Sequence, residues 1–333
     1  MEKVVLGLSG GVDSAVAARL LQRDGYAVHG VYLDIGTESE REDAVRTAEF
    51  LGVSLEILDI REELEACVCK PFAESYLRGE TPNPCIACNP SVKFRGLCAA
   101  ADRLGAKYVA TGHYARTENG SLYMGRTEND QSYMLCRLYR EQAERLLLPL
   151  GNYIKSEVRA LAEEFGIPVA HKPDSMEICF IRDKDYIGWL SRRGAVPCKG
   201  SFVLDDGTVI GQHEGIHRYT VGQRWKGLYN ERKLYIAQIR PETDEIVLRH
   251  WEDLFKTEFY VRDLRWLTEV SEGEVTGRVR IRHTKWETPS CTVFPMEDGR
   301  AMIKTEEPVR APARGQAAAI YDGERLLGGG IIL

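Results

Sequence analysis

The chain has 333 residues, 44% hydrophobic and 28% charged, which excludes a single small module and gives no case for disorder or fibre; two or three folded domains are expected. A formal net charge of −6 speaks against a generally basic nucleic-acid coat and moves attention to where the charge lies. Nine cysteines, an odd number, exclude a complete disulfide framework and point to thiols kept reduced for chemistry or packing.

The opening MEKVVLGLSGG has too short an apolar run for a secretory leader. No stretch approaches the ~18 apolar residues of a membrane span. A cytoplasmic protein without membrane attachment is therefore expected. Lys3 to Leu8 predicts a strand ended by Ser9-Gly10-Gly11, and Asp13 to Asp24 carries apolar residues at helical spacing. The pattern repeats, with a strand at Ala27 to Leu33, a helix at Glu40 to Leu51 and a strand at Leu55 to Ile60. A helix at Phe94 to Leu104 then leads to a strand at Tyr108 to Thr111. Such alternation predicts an α/β domain, a parallel sheet with helices on both faces. After Gly194 the texture changes to short alternating segments broken by Asp-Gly turns, and from Phe255 strands dominate. The expected organisation is a parallel-sheet domain over 1–193, a small mostly-β domain over 194–253 and a β-barrel over 254–333.

Ser9-Gly10-Gly11-Val12-Asp13-Ser14 lies between the first strand and the first helix. There, unpaired N–H groups and the helix dipole favour an anion. The paired glycines let backbone approach a phosphate, Ser9 and Ser14 add hydroxyl donors, and Asp13 is placed either to hold Mg2+ or to order the loop. No Gly-Lys-Ser/Thr follows and no Gly-x-Gly-x-x-Gly spacing is present, which excludes a Walker loop and a dinucleotide fingerprint. A methyltransferase-type cofactor loop is absent as well. The string SGGVDS resembles the loop of the PP-loop ATP pyrophosphatases, which cleave ATP between its α and β phosphates and leave an adenylated substrate.

Downstream, Thr81-Pro82-Asn83-Pro84-Cys85-Ile86-Ala87-Cys88-Asn89 combines proline-stiffened backbone with two thiols and reads as a loop that presents sulfur in a defined position. Asp174-Ser175-Met176-Glu177-Ile178-Cys179-Phe180-Ile181 supplies a third thiol beside acidic residues. Basic residues gather at Arg192 and Arg193, at Arg224 and Lys226, and at Arg278, Arg280 and Arg282 with Lys285. The alternation of a strand would set Arg278, Arg280 and Arg282 on one face, available to phosphates.

Across nearly its whole length the chain resembles the tRNA-specific 2-thiouridylases, which thiolate the wobble uridine of certain tRNAs. The shared motifs are GLSGGVDS, TPNPC..CN with V-K-F following, ATGHYAR at Ala110 to Arg116, DQSY at Asp130 to Tyr133, PLG...K.EVR at Pro149 to Arg159, DS..ICFI, YTVGQR at Tyr219 to Arg224, and the ending GQ....YDGE..LGGGII. The resemblance implies ATP-dependent adenylation of the uridine, with Cys88 as nucleophile and Cys179 as the thiol that receives sulfur as a persulfide from a carrier protein. A transient Cys88–Cys179 disulfide follows from that route. The role of Cys85 stays open between acid-base group and metal or cluster ligand. Cys98, Cys136 and Cys291 read as packing residues, and Cys67 and Cys69 match no motif.

The same resemblance places ATP against Gly7, Leu8, Ser9, Gly10, Gly11, Val12, Asp13, Ser14, Leu33 and Gly112. It places tRNA against Asn83, Pro84, Cys85, His113, Asn129, Asp130, Gln131, Arg282, His283 and Gln316. Three departures stand out: Asn129 where relatives carry lysine, Trp225 interrupting QRKGL, and Pro90-Ser91 at a commonly basic position. Two alternatives accompany this reading. One is a PP-loop paralogue with another substrate. The other is thiolation through an iron–sulfur cluster on Cys85, Cys88 and Cys179, with persulfide transfer preferred.

Overall fold

Apolar runs alternating with amphipathic helices build the first domain, and in chain order they give β1 (Lys3–Gly7), α1 (Val12–Arg23), β2 (Ala27–Asp34), α2 (Glu38–Leu51), β3 (Ser54–Asp59), β4 (Tyr108–Ala110), β5 (Ala115–Glu118), β6 (Ser121–Met124) and β7 (Leu146–Leu147). The computed structural model describes residues 1–333 except 127–128, 175–176, 195–197, 228, 230–231, 271 and 284–287. Among the described residues the strands form three sheets. The first is parallel, in the order β3-β2-β1-β4-β7. Val4, Val5 and Leu6 of β1 are fully buried, as a central strand covered on both faces requires. The strand order reverses between β1 and β4, the position where ligands bind in open α/β sheets. The loops after these two strands, Leu8 to Gly11 and Thr111 to His113, therefore meet at one crevice.

The second sheet holds β8 (Gly200–Val203), β9 (Val209–His213), β10 (Tyr235–Arg240) and β11 (Glu245–Arg249), in the order β10-β11-β8-β9. Its core includes Phe202, Ile236, Ile246 and Leu248, and Trp225 packs on it with its ring 5.6 Å from that of Phe202. The insertion of Trp225 into a family motif thus has a packing role inside this domain. The third sheet holds β12 (Phe255–Trp266), β13 (Val275–Arg280), β14 (Ser290–Pro295), β15 (Ala301–Arg310), β16 (Ala317–Asp322) and β17 (Arg325–Ile332). These strands pair antiparallel, and β12 pairs with β17 to close a barrel.

Chain order and packing divide the molecule differently. The β5–β6 hairpin, which sequence periodicity does not reveal, extends the barrel sheet through β6 and β17, with Leu122 opposite Leu326. Leu122, Tyr133 and Cys136 share one apolar core with Ala317, Tyr321 and Leu326. Beside it lies a buried ion pair, Arg280 Nη1 to Asp130 Oδ2 at 2.6 Å, with both side chains less than a tenth exposed. Asp130 also accepts from the Gly125 and Ser132 amides at 2.7 and 3.0 Å and from the Ser132 hydroxyl at 2.9 Å.

This pair corrects the expected basic face. The side of β13 that is open to solvent at Arg278 is covered at Arg280 by the Asp130 turn, and the strand ends there, so its alternation does not reach Arg282. Arg282 instead donates to the Val221 and Ala311 carbonyls at 3.0 and 3.1 Å, tying the barrel to the middle domain. Lys285 lies outside the described residues.

Removing one partner of a buried pair strands the other charge. Arg280→Ala is expected to lower stability by about 3–5 kcal/mol in urea unfolding, whereas an exposed arginine such as Arg278 should cost less than about 0.5 kcal/mol when replaced by alanine. Equal effects would remove the special role of the buried pair.

Candidate active site

The phosphate loop is shaped by close backbone contacts. Gly10 has φ +73°, and a Cβ there would stand 2.6 Å from the Glu40 carbonyl oxygen and 2.8 Å from the Ala44 nitrogen of α2. A Cβ on Gly112 would stand 2.9 Å from the Asp13 carbonyl carbon and 3.0 Å from the Ser14 nitrogen. Only glycine fits either place. Ser14 Oγ accepts from the Ser9 amide at 3.1 Å and donates to the Gly11 carbonyl at 3.0 Å. No side chain caps α1 at Gly11, which leaves its first N–H groups for an anion.

Lysines pin this loop from outside. Lys155 Nζ donates to both carboxylate oxygens of Asp13 at 2.7 and 2.8 Å, and the Tyr114 hydroxyl donates to the first of them at 2.8 Å. Lys155 also pairs with Asp174 at 2.8 Å, which Arg159 contacts at 3.0 Å. Lys172 bridges Asp43 at 2.6 Å and the Gly10 carbonyl at 3.3 Å. Through these contacts Asp13 orders the loop. Lys155, Asp174 and Tyr114 all stand in quoted motifs, yet only their meeting in space reveals what they hold.

A cleft of about 410 Å³ opens above the loop. Gly7, Leu8, Ser9, Asp13, Ser14, Leu33 and Gly112 line it, while Gly10, Gly11 and Val12 shape the loop from behind. Leu33 and Ile60 give one wall an apolar surface. Cys88, Cys179, Lys93, His113 and Gln131 line it too, so both thiols share one cleft with the phosphate loop.

The segment expected as a loop is helical at its thiols. Asn83 caps the turn Pro84–Cys88 by accepting from the Cys85 amide at 3.1 Å, and Pro84 stands at the first helical position. Both features start a helix, because an Asn cap satisfies an early N–H and proline there has none to waste. A π turn, Asn89–Lys93, follows and leads into the helix Phe94–Leu104. Asn89 donates to the Met134 carbonyl at 2.8 Å.

Cys88 is half-buried and Cys85 and Cys179 are exposed. Burial raises the Cys88 thiol while the nearby Lys93 ammonium opposes the rise. Cys179 is pushed up to about 11, first by the protein packed around its thiol and then by the neighbouring Cys88 and Cys85 thiols. Cys67 and Cys69 lie in a second π turn, Glu65–Cys69, and pack in the apolar cluster that also holds Cys88 and Phe180. Burial pushes Cys69 up to about 12. Cys136 and Cys291 are buried in apolar cores and Cys98 packs against one. Among the described residues no group of three or more His, Cys, Asp or Glu side chains is gathered to hold a metal ion.

The residues expected to meet RNA divide into two sets. Asn83, Pro84 and Cys85 form the helical turn beside the cleft, and His113 and Gln131 line it. His113 Nδ1 lies 2.7 Å from the Thr111 hydroxyl, and burial, with Lys93 nearby, holds the imidazole well below its usual pKa and therefore neutral. Asp130, Arg282 and Gln316 are engaged within the protein; Gln316 Nε2 donates to the Thr81 carbonyl at 2.6 Å. His283 stands 6.3 Å from the Tyr133 ring, and Asn129 lies in the turn that leads to Asp130.

The chain is 38% identical to the tRNA-specific 2-thiouridylase MnmA of Clostridium botulinum, over 99% of this chain and 98% of that protein. The MnmA of Lachnoclostridium phytofermentans is 38% identical over 100% of both chains, and that of Clostridium perfringens 39% over 99% and 98%. The chain belongs to the tRNA-specific 2-thiouridylase family. Family models match in the same order: tRNA methyl transferase HUP domain at residues 2–183, tRNA methyl transferase PRC-barrel domain at 190–250 and aminomethyltransferase beta-barrel domain at 256–332. Among solved structures, an NMN synthetase from Francisella tularensis matches at 22% identity and a TM-score of 0.37, over 56% of this chain and 77% of its own. No helix among the described residues is long and apolar enough to cross a membrane.

Because the Cys179 thiol is raised to about 11, about one molecule in a thousand carries the thiolate at pH 8, and the reactive form grows as pH rises. Alkylation of Cys179 by iodoacetamide should accelerate about tenfold per pH unit from 7 to 10 without a plateau. A plateau near pH 8.5 would contradict the assigned environment.

Proposed function

We propose that this chain is an ATP-dependent tRNA 2-thiouridylase that activates the wobble uridine through its O2 and replaces that oxygen with sulfur carried on Cys179. The observation that carries the reading is one cleft in which an anion-receiving helix terminus faces two thiols. Membership of the 2-thiouridylase family supplies the substrate class.

The fit to ATP rests on the cradle itself. Gly10 and Gly112 let the loop backbone pack where a Cβ would clash, Ser9 offers a hydroxyl to the phosphates, and Leu33 and Ile60 offer an apolar surface to the adenine. Mg2+, where it accompanies the nucleotide, supplies charge neutralisation at the phosphates. Adenylation gives an unreactive carbonyl oxygen a good leaving group, and the base must leave its stack to reach the cleft. The turn at Asn83, Pro84 and the exposed Cys85, with the neutral His113 and Gln131 lining the cleft beside it, is the proposed contact for the flipped uridine.

A carrier protein loads a sulfur onto Cys179 as a persulfide, whose lower pKa restores the nucleophilicity that the raised pKa denies the thiol. The outer sulfur attacks C2 and AMP leaves with the oxygen. The Cys88 thiolate, favoured by Lys93, then attacks the Cys179 sulfur. The S–S bond to the transferred sulfur breaks, the thiocarbonyl stays on the base, and a Cys88–Cys179 disulfide remains.

Cys88→Ser and Cys179→Ser should each abolish 2-thiouridine, read by mass spectrometry of digested tRNA, while ATP binding by calorimetry stays within about threefold of the parent. Normal 2-thiouridine from either variant would overturn the assignment of that thiol.

A further inference from the structure

Sulfur delivery by the route above ends with Cys88 and Cys179 joined, so the site makes one product and then waits for two electrons. We propose that Cys85 is the thiol that resets it, by exchanging with this disulfide and carrying the oxidising equivalent out of the cleft as a Cys85–Cys88 disulfide. The inference rests on the proposed function. It adds a residue that neither the sulfur-accepting nor the attacking role uses.

Three observations carry it. First, Cys85 and Cys88 stand three residues apart on the single helical turn Pro84–Cys88. Helix rise and radius put their Cα atoms about 5 Å apart, inside the roughly 4.4–6.8 Å that a disulfide spans. Side chains at this spacing share a face with Cβ atoms about 5–6 Å apart, so the bond, which holds them about 3.5–4.5 Å apart, needs a modest tightening of the turn. Second, Cys88 is half-buried in the cleft lining that it shares with the exposed Cys179, whereas Cys85 is exposed and stands outside that lining. Third, Cys85 is close enough to add to the electrostatic crowding of both Cys88 and Cys179. Cys67 also neighbours Cys88 but is itself half-buried, and Cys69 is buried.

The exchange balances. The Cys85 thiolate attacks the Cys88 sulfur, the Cys85–Cys88 bond forms, and the electron pair of the broken bond leaves on Cys179, which is then free to take the next sulfur. A dithiol reductant, such as a redox protein with paired cysteines, attacks the exposed Cys85 sulfur. Its second thiol resolves the mixed disulfide, passing two electrons and two protons to Cys85 and Cys88.

The test is a single turnover by the full-length chain. Persulfide-loaded protein is mixed with ATP and tRNA without reductant, quenched with N-ethylmaleimide, and its disulfides mapped alongside 2-thiouridine. Cys85–Cys88 with alkylated Cys179, in an amount matching the product, is the expected result. Product matched by Cys88–Cys179 with alkylated Cys85, or by a Cys67–Cys88 bond, would overturn the proposal while leaving the 2-thiouridylase reading intact. Absence of product from folded, loaded protein would sink that reading and this proposal with it. In Cys85→Ser the Cys88–Cys179 bond should persist after product forms. Its steady-state rate with a protein dithiol should fall about tenfold relative to its rate with a small dithiol that enters the cleft. An unchanged ratio of those two rates would also overturn the proposal.

Discussion

Lys155 joins two carboxylates that sequence order separates widely: Asp13 at the phosphate loop and Asp174 just before the segment that carries Cys179. The first contact holds Asp13 at the loop, and the second holds Asp174, five residues before Cys179, on the same lysine. A group transfer between a phosphate-activated atom and a sulfur needs the two kept within reach, since reacting atoms must approach to about 3–3.5 Å in alignment. The glycine contacts at Gly10 and Gly112 serve the same end, because both press loop backbone against backbone with no side chain between.

The thiol on the other side of the cleft is positioned by a different device. Cys88 ends a helical turn that Asn83 caps, and the preceding Thr81 is held on the barrel through its amide to the Arg314 carbonyl at 2.7 Å and its carbonyl to Gln316. The barrel is in turn welded to the first domain by the β5–β6 hairpin and the Asp130–Arg280 pair. The C-terminal domain therefore helps to seat the turn that carries Cys88. Asp130 and Arg280 appear basic- or RNA-directed when read by pattern alone, but their burial makes them part of this weld.

Much of this was legible in the sequence. The alternation of strand and helix around SGGVDS gave the parallel sheet, and the switch between β1 and β4 put Gly112 beside the loop as the motif strings implied. The thiol segment was misread as a loop because proline and asparagine serve turns and helix starts alike; the choice depends on the helical turn and π turn that follow. Lys155 and Asp174 went unassigned because an ion pair between distant segments leaves no local periodicity. The Arg278–Arg282 alternation failed for a related reason: a strand pattern says which side a residue takes, whereas the covering turn that buries Arg280 comes from another part of the chain.

The central claim is that the cleft activates the uridine through its own oxygen before sulfur arrives. The direct measurement is the fate of that oxygen. With tRNA carrying oxygen-18 at O2 of the target uridine, a persulfide-loaded enzyme and ATP, the account predicts that the AMP released with each 2-thiouridine carries the heavy oxygen. Heavy oxygen recovered in pyrophosphate or in water, with AMP unlabelled, would contradict it.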